Sequence, residues 1–194
     1  MMQEKTARKS IKMPFAEVLS KYVLLFGVLS FIGWVFESAM LFYTSGSFVN
    51  TGFMTLPFCP IYGCSLILVY FLIGTPDEGR GILKEKQNPY VRYATYLALA
   101  FLIPTAAELA VGFFFDFFFD TWLWSYNGMP LNFHGYIALP VSLAWMVLIF
   151  LFMKYLFSPI KRFVFKISKT TAIILAGLLV CALAVDMTLA YIKI

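Results

Sequence analysis

Long runs of apolar residues, separated by short polar stretches, extend along almost the whole chain. Five runs are long enough to cross a bilayer, since a transmembrane helix needs about 20 mostly apolar residues. They run over 22–43, 53–73, 91–115, 135–157 and 171–191. The pattern therefore predicts an all-α, polytopic integral membrane protein with five transmembrane helices. Residues 1–21 form a basic N-terminal segment, and residues 22–194 form the five-helix transmembrane domain.

The second apolar run has an unusual, proline-rich start. Pro57 and Pro60 lie three residues apart, and each proline lacks a backbone N–H and disfavours a helix interior. One interpretation is a broken or re-entrant start, which is tolerated at membrane depth only when it is buried in protein or lines a cavity. The other is that the prolines simply begin the helix.

Two further stretches lie outside the predicted spans. The aromatic run at 113–119, followed by Trp122, Trp124 and Tyr126, is typical of an interfacial belt on a short helix in the headgroup layer. Residues 158–169 carry four basic side chains and are predicted to form a loop.

Lysine and arginine residues alternate, with almost no exception, from one side of the predicted spans to the other. They lie before the first span, between the second and third, and after the fourth, whereas the loops after the first and third spans have none. Basic residues accumulate in cytoplasmic loops. The N-terminus is therefore predicted to be cytoplasmic and the C-terminus to lie outside.

Composition restricts the classes of function. The chain is 61% hydrophobic and 13% charged, so its solvent is lipid and little length remains for a soluble catalytic domain. No glycine-rich phosphate-binding loop is present, so the sequence predicts no ATP site in this chain and points to no cofactor. The net charge of +5 lies beside apolar segments, which favours contact with the lipid bilayer rather than with nucleic acid.

Three acids lie inside the predicted spans: Glu37, Glu108 and Asp186. Counted along helices that rise about 1.5 Å per residue, they lie roughly 22, 25 and 22 Å from the cytoplasmic ends of their spans. All three thus fall in the outer third of a core about 30 Å thick. Acids at such depth are costly and point to function. They either carry protons, share a cation or cationic substrate group, or act as polar contacts between helices.

Four other residues complete the predicted site as neutral ligands or donors: Ser38, Asn50, Tyr62 and His134. His134, the single histidine, is either an interfacial hydrogen-bonding residue or a ligand, and no metal-ligand spacing accompanies it. The three cysteines form no disulfide or zinc pattern and are interpreted as small packing residues. No catalytic or metal-binding residue is predicted.

Several short motifs resemble those of a known bacterial family. They are Gly33-Trp34-x-x-Glu37, Asn50-x-Gly52-Phe53, Pro57-x-Cys59-Pro60-Ile61-Tyr62-Gly63, Glu108-x-x-x-Gly112 and Trp124-x-Tyr126 followed by Pro130-x-Asn132-x-x-Gly135. Together they are similar to the Putative ABC-transporter type IV family, also called CmpB-like permeases. The proline-cysteine stretch is the most specific of them.

The chain also departs from the family pattern on the predicted outer side. Family members usually have Asn-Arg-Gly in place of 50–52, Trp-Asp-Tyr-Ser in place of 124–127, and Gly-Arg-Ile in place of 135–137. Two arginines and one aspartate are thus missing. The remaining acids have less positive charge around them than in typical members.

The resemblance implies a multi-pass protein of the bacterial inner membrane, and the acids suggest a transporter-like permease with an outward-facing acidic pocket. Its partners would be lipid and either a separate nucleotide-binding subunit, docked on the basic loops, or further copies of the chain. Two other functions stay open. One is a non-transporting subunit or sensor with structural acids, and the other is an intramembrane enzyme acting on lipid through two carboxylates and His134.

Overall fold

The computed structural model describes residues 13–46, 55–81, 83, 88–122 and 124–192. These parts of the chain are mostly helical, which confirms the prediction of an all-α fold. The elements in chain order are α1 (Phe15–Ser45), α2 (Pro60–Ile73), α3 (Pro89–Phe119), β1 (Asn132–Phe133), β2 (Ile137–Ala138), α4 (Leu139–Leu151), a π-helical segment (Phe152–Phe157), α5 (Ser158–Phe165) and α6 (Lys169–Ile192).

Four helices are long and apolar enough to cross a membrane, and a fifth is apolar but shorter. The four lie over Phe15–Tyr43, Pro89–Phe119, Leu139–Phe165 and Lys169–Leu189. Helix α2 has 14 residues and is therefore only about 21 Å long, less than the hydrocarbon core of about 30 Å. The protein is thus a multi-pass membrane protein whose second apolar run is helical over only part of its length.

The start of α2 explains why that helix is short. Residues 55–59 are not helical, and Pro60 is the first residue of α2, where a missing N–H donor is harmless. The Cys59 N–H donates to the Ser30 carbonyl at 3.0 Å, and Ser30 lies about halfway along α1. The non-helical stretch therefore packs beside the middle of a spanning helix, so both interpretations of the prolines hold in part.

Three boundaries differ from those predicted. Helix α1 begins at Phe15, so the end of the basic segment is helical. The phenylalanine run belongs to the last turns of α3 rather than to a separate helix. Residues 158–165 continue the fourth span as α5 instead of forming a loop, because lysine and arginine are good helix formers.

The helices pack in two groups that share a core near the basic loops. Helix α1 contacts α2 and α6, and α3 contacts α4, while α2 also touches α3. Buried side chains from α1, α2, α3 and the π-helical segment form the centre. They include Leu25, Leu29, Tyr70, Ile73, Tyr96, Ala100, Met153 and Phe157.

A small hairpin closes the opposite end of α3 and α4. Strands β1 and β2 pair antiparallel, and the connection before them folds back through a bond from the Tyr126 N–H to the Gly135 carbonyl at 2.9 Å. The Trp124 indole donates to the Tyr136 carbonyl at 2.9 Å, and the Tyr136 hydroxyl bonds to Asp116 near the end of α3. This hairpin holds Tyr126 over the helix that carries Glu108.

Candidate functional site

Glu108, on α3, has one carboxylate oxygen that is satisfied and one that is not. The Trp145 indole N–H donates to Glu108 Oε1 at 3.0 Å, and the Tyr126 hydroxyl donates to the same oxygen at 3.3 Å. Glu108 Oε2 is buried and has no hydrogen-bond partner in the described part of the chain. Buried polar atoms are nearly always hydrogen-bonded, so this oxygen is the clearest sign of a position where a ligand or a proton can bind.

The donors to Glu108 come from two different elements. Helix α4 packs along α3 and brings Trp145, while the hairpin brings Tyr126. Burial and the neighbouring Glu108 carboxylate raise the pKa of Tyr126 to about 12. The Tyr126 hydroxyl therefore stays protonated at neutral pH and acts as a donor to the acid. Nearby, the hydrogen bond to Asp116 raises the pKa of Tyr136.

Glu37, on α1, lies beside the start of α2. The Cys59 thiol donates to Glu37 Oε2 at 3.1 Å, and the Tyr62 hydroxyl is within electrostatic reach of Glu37, Cys59 and Tyr126. Gly33 makes this arrangement possible, because a Cβ there would lie 2.4 to 2.6 Å from the Tyr62 side chain. The close approach of α1 and α2 thus depends on the glycine one turn before the acid.

Tyr62 connects the surroundings of the two glutamates. Its ring centroid lies 5.9 Å from that of Trp145, the residue that donates to Glu108. Glu37 and Glu108 are therefore joined by a path of aromatic side chains from α2, α4 and the hairpin. We call Glu37, Tyr62, Glu108, Tyr126 and Trp145 the glutamate cluster.

Asp186, on α6, has a different environment. It is 5% exposed, and its Oδ2 accepts a hydrogen bond from the Leu56 backbone N–H at 2.9 Å. Leu56 belongs to the non-helical stretch before α2, the stretch that also carries Cys59. Asp186 and Glu37 therefore contact the same segment from two different helices. Asp186 accepts a hydrogen bond from a backbone N–H that lies outside any helix.

The four neutral residues of the predicted site are dispersed. Tyr62 is in the glutamate cluster. Ser38 is 2% exposed and lines a shallow apolar groove with other α1 residues. His134 is exposed in the hairpin with a positive φ of 49°, and its ring lies 4.8 Å from that of Phe133. Asn50 lies outside the described residues.

The structure links two of the three acids through aromatic residues and gives Asp186 a backbone partner. In the described part of the chain, no three His, Cys, Asp or Glu side chains gather in a way that could hold a metal ion. Sequence reasoning missed Trp145 as a donor to Glu108 and treated Cys59 as packing alone. A tryptophan inside a span rather than at its end was the available signal for Trp145.

Comparison with known proteins agrees with the motifs quoted above. Neither a curated protein nor a solved structure matches the chain. A family model described as Putative ABC-transporter type IV matches residues 24–191, a range that contains every described residue of the glutamate cluster. The chain belongs to the Putative ABC-transporter type IV family.

Proposed function

We propose that the protein is a permease-like transport component of the bacterial inner membrane that binds a cation, a proton or a cationic substrate group at the glutamate cluster. The observation that carries the proposal is Glu108 Oε2, a buried carboxylate oxygen with no partner in the described part of the chain. A carboxylate in lipid is costly unless it is paired or protonated. A bound cationic group or a proton would relieve that cost.

The surroundings of Glu108 suit a cationic group. Trp145 and Tyr126 occupy Oε1 and leave Oε2 open, and the rings of Tyr62 and Trp145 lie beside each other. Aromatic faces attract cations through the ring quadrupole. No salt bridge joins Glu37 or Glu108 to a lysine or arginine among the described residues, so the protein leaves these charges to be balanced by something else.

The alternating basic residues support an orientation with the N-terminus in the cytoplasm. In that orientation the glutamate cluster opens toward the outer face. A nucleotide-binding subunit, if ATP drives transport, would then dock on the basic loops at the opposite end. The family description is consistent with such a subunit.

A second function is supported by the contacts of Asp186 and Glu37. Both acids bond to residues of the stretch before α2, as expected for polar groups that hold membrane helices together. In a non-transporting subunit or sensor, the acids would be structural and no cation would bind. Glu108 distinguishes the two functions because its Oε2 has no hydrogen-bond partner among the residues that the structure describes.

The test is a binding measurement on the full chain in lipid nanodiscs. The melting temperature is recorded in Na⁺, K⁺, Mg²⁺ or tetramethylammonium, and across pH 5 to 8, for wild type and for Glu108→Gln. A ligand at 100 times its Kd stabilises the folded state by about 2.7 kcal/mol, which shifts the melting temperature by several degrees. We expect one cation, or protons, to stabilise wild type and to have no such effect on Glu108→Gln.

Glu78→Gln is the matched control, since Glu78 is an exposed acid on the connection after α2. It should respond as wild type does. A wild-type protein that responds to no cation and to no change of pH would contradict the proposal. An equal response in Glu108→Gln would move the site elsewhere.

A further inference from the structure

We infer a second binding site, for the phosphate of an anionic phospholipid, at the end of the protein opposite the glutamate cluster. Arg80 follows α2, and Lys161 lies on α5. The Arg80 guanidinium carbon lies 4.9 Å from the centre of the Tyr70 ring, and Lys161 Nζ lies 4.2 Å from the same centre. We call these three residues the Tyr70 site.

The two cations are held close together by the fold. Because both distances are measured from one ring centre, the charges lie at most about 9 Å apart, comparable to the Debye length in physiological salt. Lys161 also hydrogen-bonds to the Tyr70 hydroxyl, and Tyr70 is only 2% exposed. The Arg80 N–H donates to the Ile73 carbonyl at 3.2 Å, which fixes Arg80 at the C-terminus of α2.

No acid neutralises this pair in the parts of the chain that the structure describes. The single ion pair found there joins Lys21 to Glu17 at 2.6 Å. Asp77, on the same connection as Arg80, accepts its hydrogen bond from the Tyr93 hydroxyl instead. Two positive charges so close to each other repel. An anion that contacts both cations would offset that repulsion.

A third cation adjoins the site. Lys161 lies 5.7 Å from the centre of the Phe165 ring, and Lys21 lies 6.0 Å from it. Lys21 is 4% exposed and donates to the Phe165 carbonyl at 3.1 Å. Its charge is balanced by Glu17, so it adds little to the attraction for an anion. The net charge that remains is that of Arg80 and Lys161.

An exposed apolar side chain next to the Tyr70 site favours a lipid over a soluble anion. The ring centre of Phe71 is 5.9 Å from that of Tyr70, and Phe71 is 51% exposed. In a spanning protein such a face is available to acyl chains. A phospholipid can place its phosphate against the cations and a chain against Phe71, whereas free phosphate gains only the first contact.

The experiment is native mass spectrometry of the full chain in mild detergent after lipid removal. Dioleoyl phosphatidylglycerol is titrated against dioleoyl phosphatidylcholine, and inorganic phosphate is titrated separately. We expect wild type to bind the anionic lipid more tightly. Arg80→Gln and Lys161→Gln should each weaken that binding about fivefold, since one cation near anionic lipid contributes about a factor of that size.

Two variants separate a built site from general surface charge. Lys161→Arg keeps the charge and should retain most of the binding. Lys169→Gln removes an exposed cation on the neighbouring helix α6 and should leave binding within about twofold of wild type.

Three results would overturn the inference. They are equal binding of the two lipids, a loss in Lys169→Gln as large as in Lys161→Gln, and binding of inorganic phosphate as tight as that of the anionic lipid.

Discussion

Asp186 and Glu108 are both acids on apolar, membrane-spanning helices, yet their surroundings differ. Asp186 accepts a hydrogen bond from the backbone of the non-helical stretch before α2. Trp145 and Tyr126 both donate to one oxygen of Glu108, and its other oxygen is buried without a partner in the described part of the chain. Backbone N–H groups outside a helix need an acceptor wherever water is excluded. Depth in the membrane therefore does not by itself assign a role to an acid.

Substitution of Asp186 and of Glu108 should change the free energy of unfolding in different ways. Asp186→Ala leaves the Leu56 N–H without its side-chain acceptor. An unsatisfied buried donor costs about 1–3 kcal/mol, so we expect the free energy of unfolding to fall by about that amount and the melting temperature in detergent to drop. Asp186→Asn keeps an acceptor oxygen and should lose less.

Glu108→Gln is the counterpart in that experiment. It removes charge from a position where one oxygen has no partner among the described residues, so the free energy of unfolding should change little or rise. If Asp186→Ala melts as wild type does while Glu108→Gln is strongly destabilised, the roles assigned to the two acids are reversed.

A comparable effect on stability is expected where α1 and α2 touch. Gly33→Ala would place a Cβ within 2.4 to 2.6 Å of Tyr62 side-chain atoms. Overpacking of this kind typically costs about 1–3 kcal/mol, and it would push Tyr62 away from Glu37. The melting temperature and the stabilisation by the cation or proton identified for wild type should both fall.

Gly177→Ala is the matched control for that substitution. Gly177 also lies within a helix, α6, but a Cβ there meets nothing within 4 Å. Alanine is favoured over glycine in a helix by about 1 kcal/mol, so this variant should be as stable as wild type or slightly more so. Equal destabilisation of both variants would mean that the Gly33 contact with Tyr62 has no special cost.

The smallest expected effect is that of the Glu108 charge on the pKa of Tyr126. The pKa of Tyr126 is raised from 10.0 to about 12 by burial and by Glu108. Subtracting the ultraviolet titration of Tyr126→Phe from that of wild type should reveal a tyrosinate transition near pH 12. In the Glu108→Gln background the transition should move toward 10.

The sign of the linked change in stability follows from that raised pKa. Unfolded Tyr126 loses its proton near pH 10 and the folded form only near pH 12, so its contribution to stability is complete below pH 10 and declines between pH 10 and about 12. A Tyr126 transition at pH 10 in wild type would show that Glu108 does not raise the pKa of this hydroxyl.

Much of the fold was determined by the sequence alone. The lengths of the apolar runs predicted a helical, multi-pass protein, because lipid requires each spanning segment to satisfy its own backbone. The motifs around Glu37, Cys59 and Glu108 were sufficient to suggest the family to which the chain belongs. The prolines at 57 and 60 predicted the irregular start of α2, because their missing N–H donors are a property of the residues themselves.

Only the tertiary structure decided which side chain meets which. Hydropathy gave Glu37, Glu108 and Asp186 similar depths, but depth along a helix does not specify the direction in which a side chain points. The partners of Glu108 come from the hairpin and from α4, 18 and 37 residues away along the chain. Such contacts arise from helix packing, and no local pattern in the sequence encodes them.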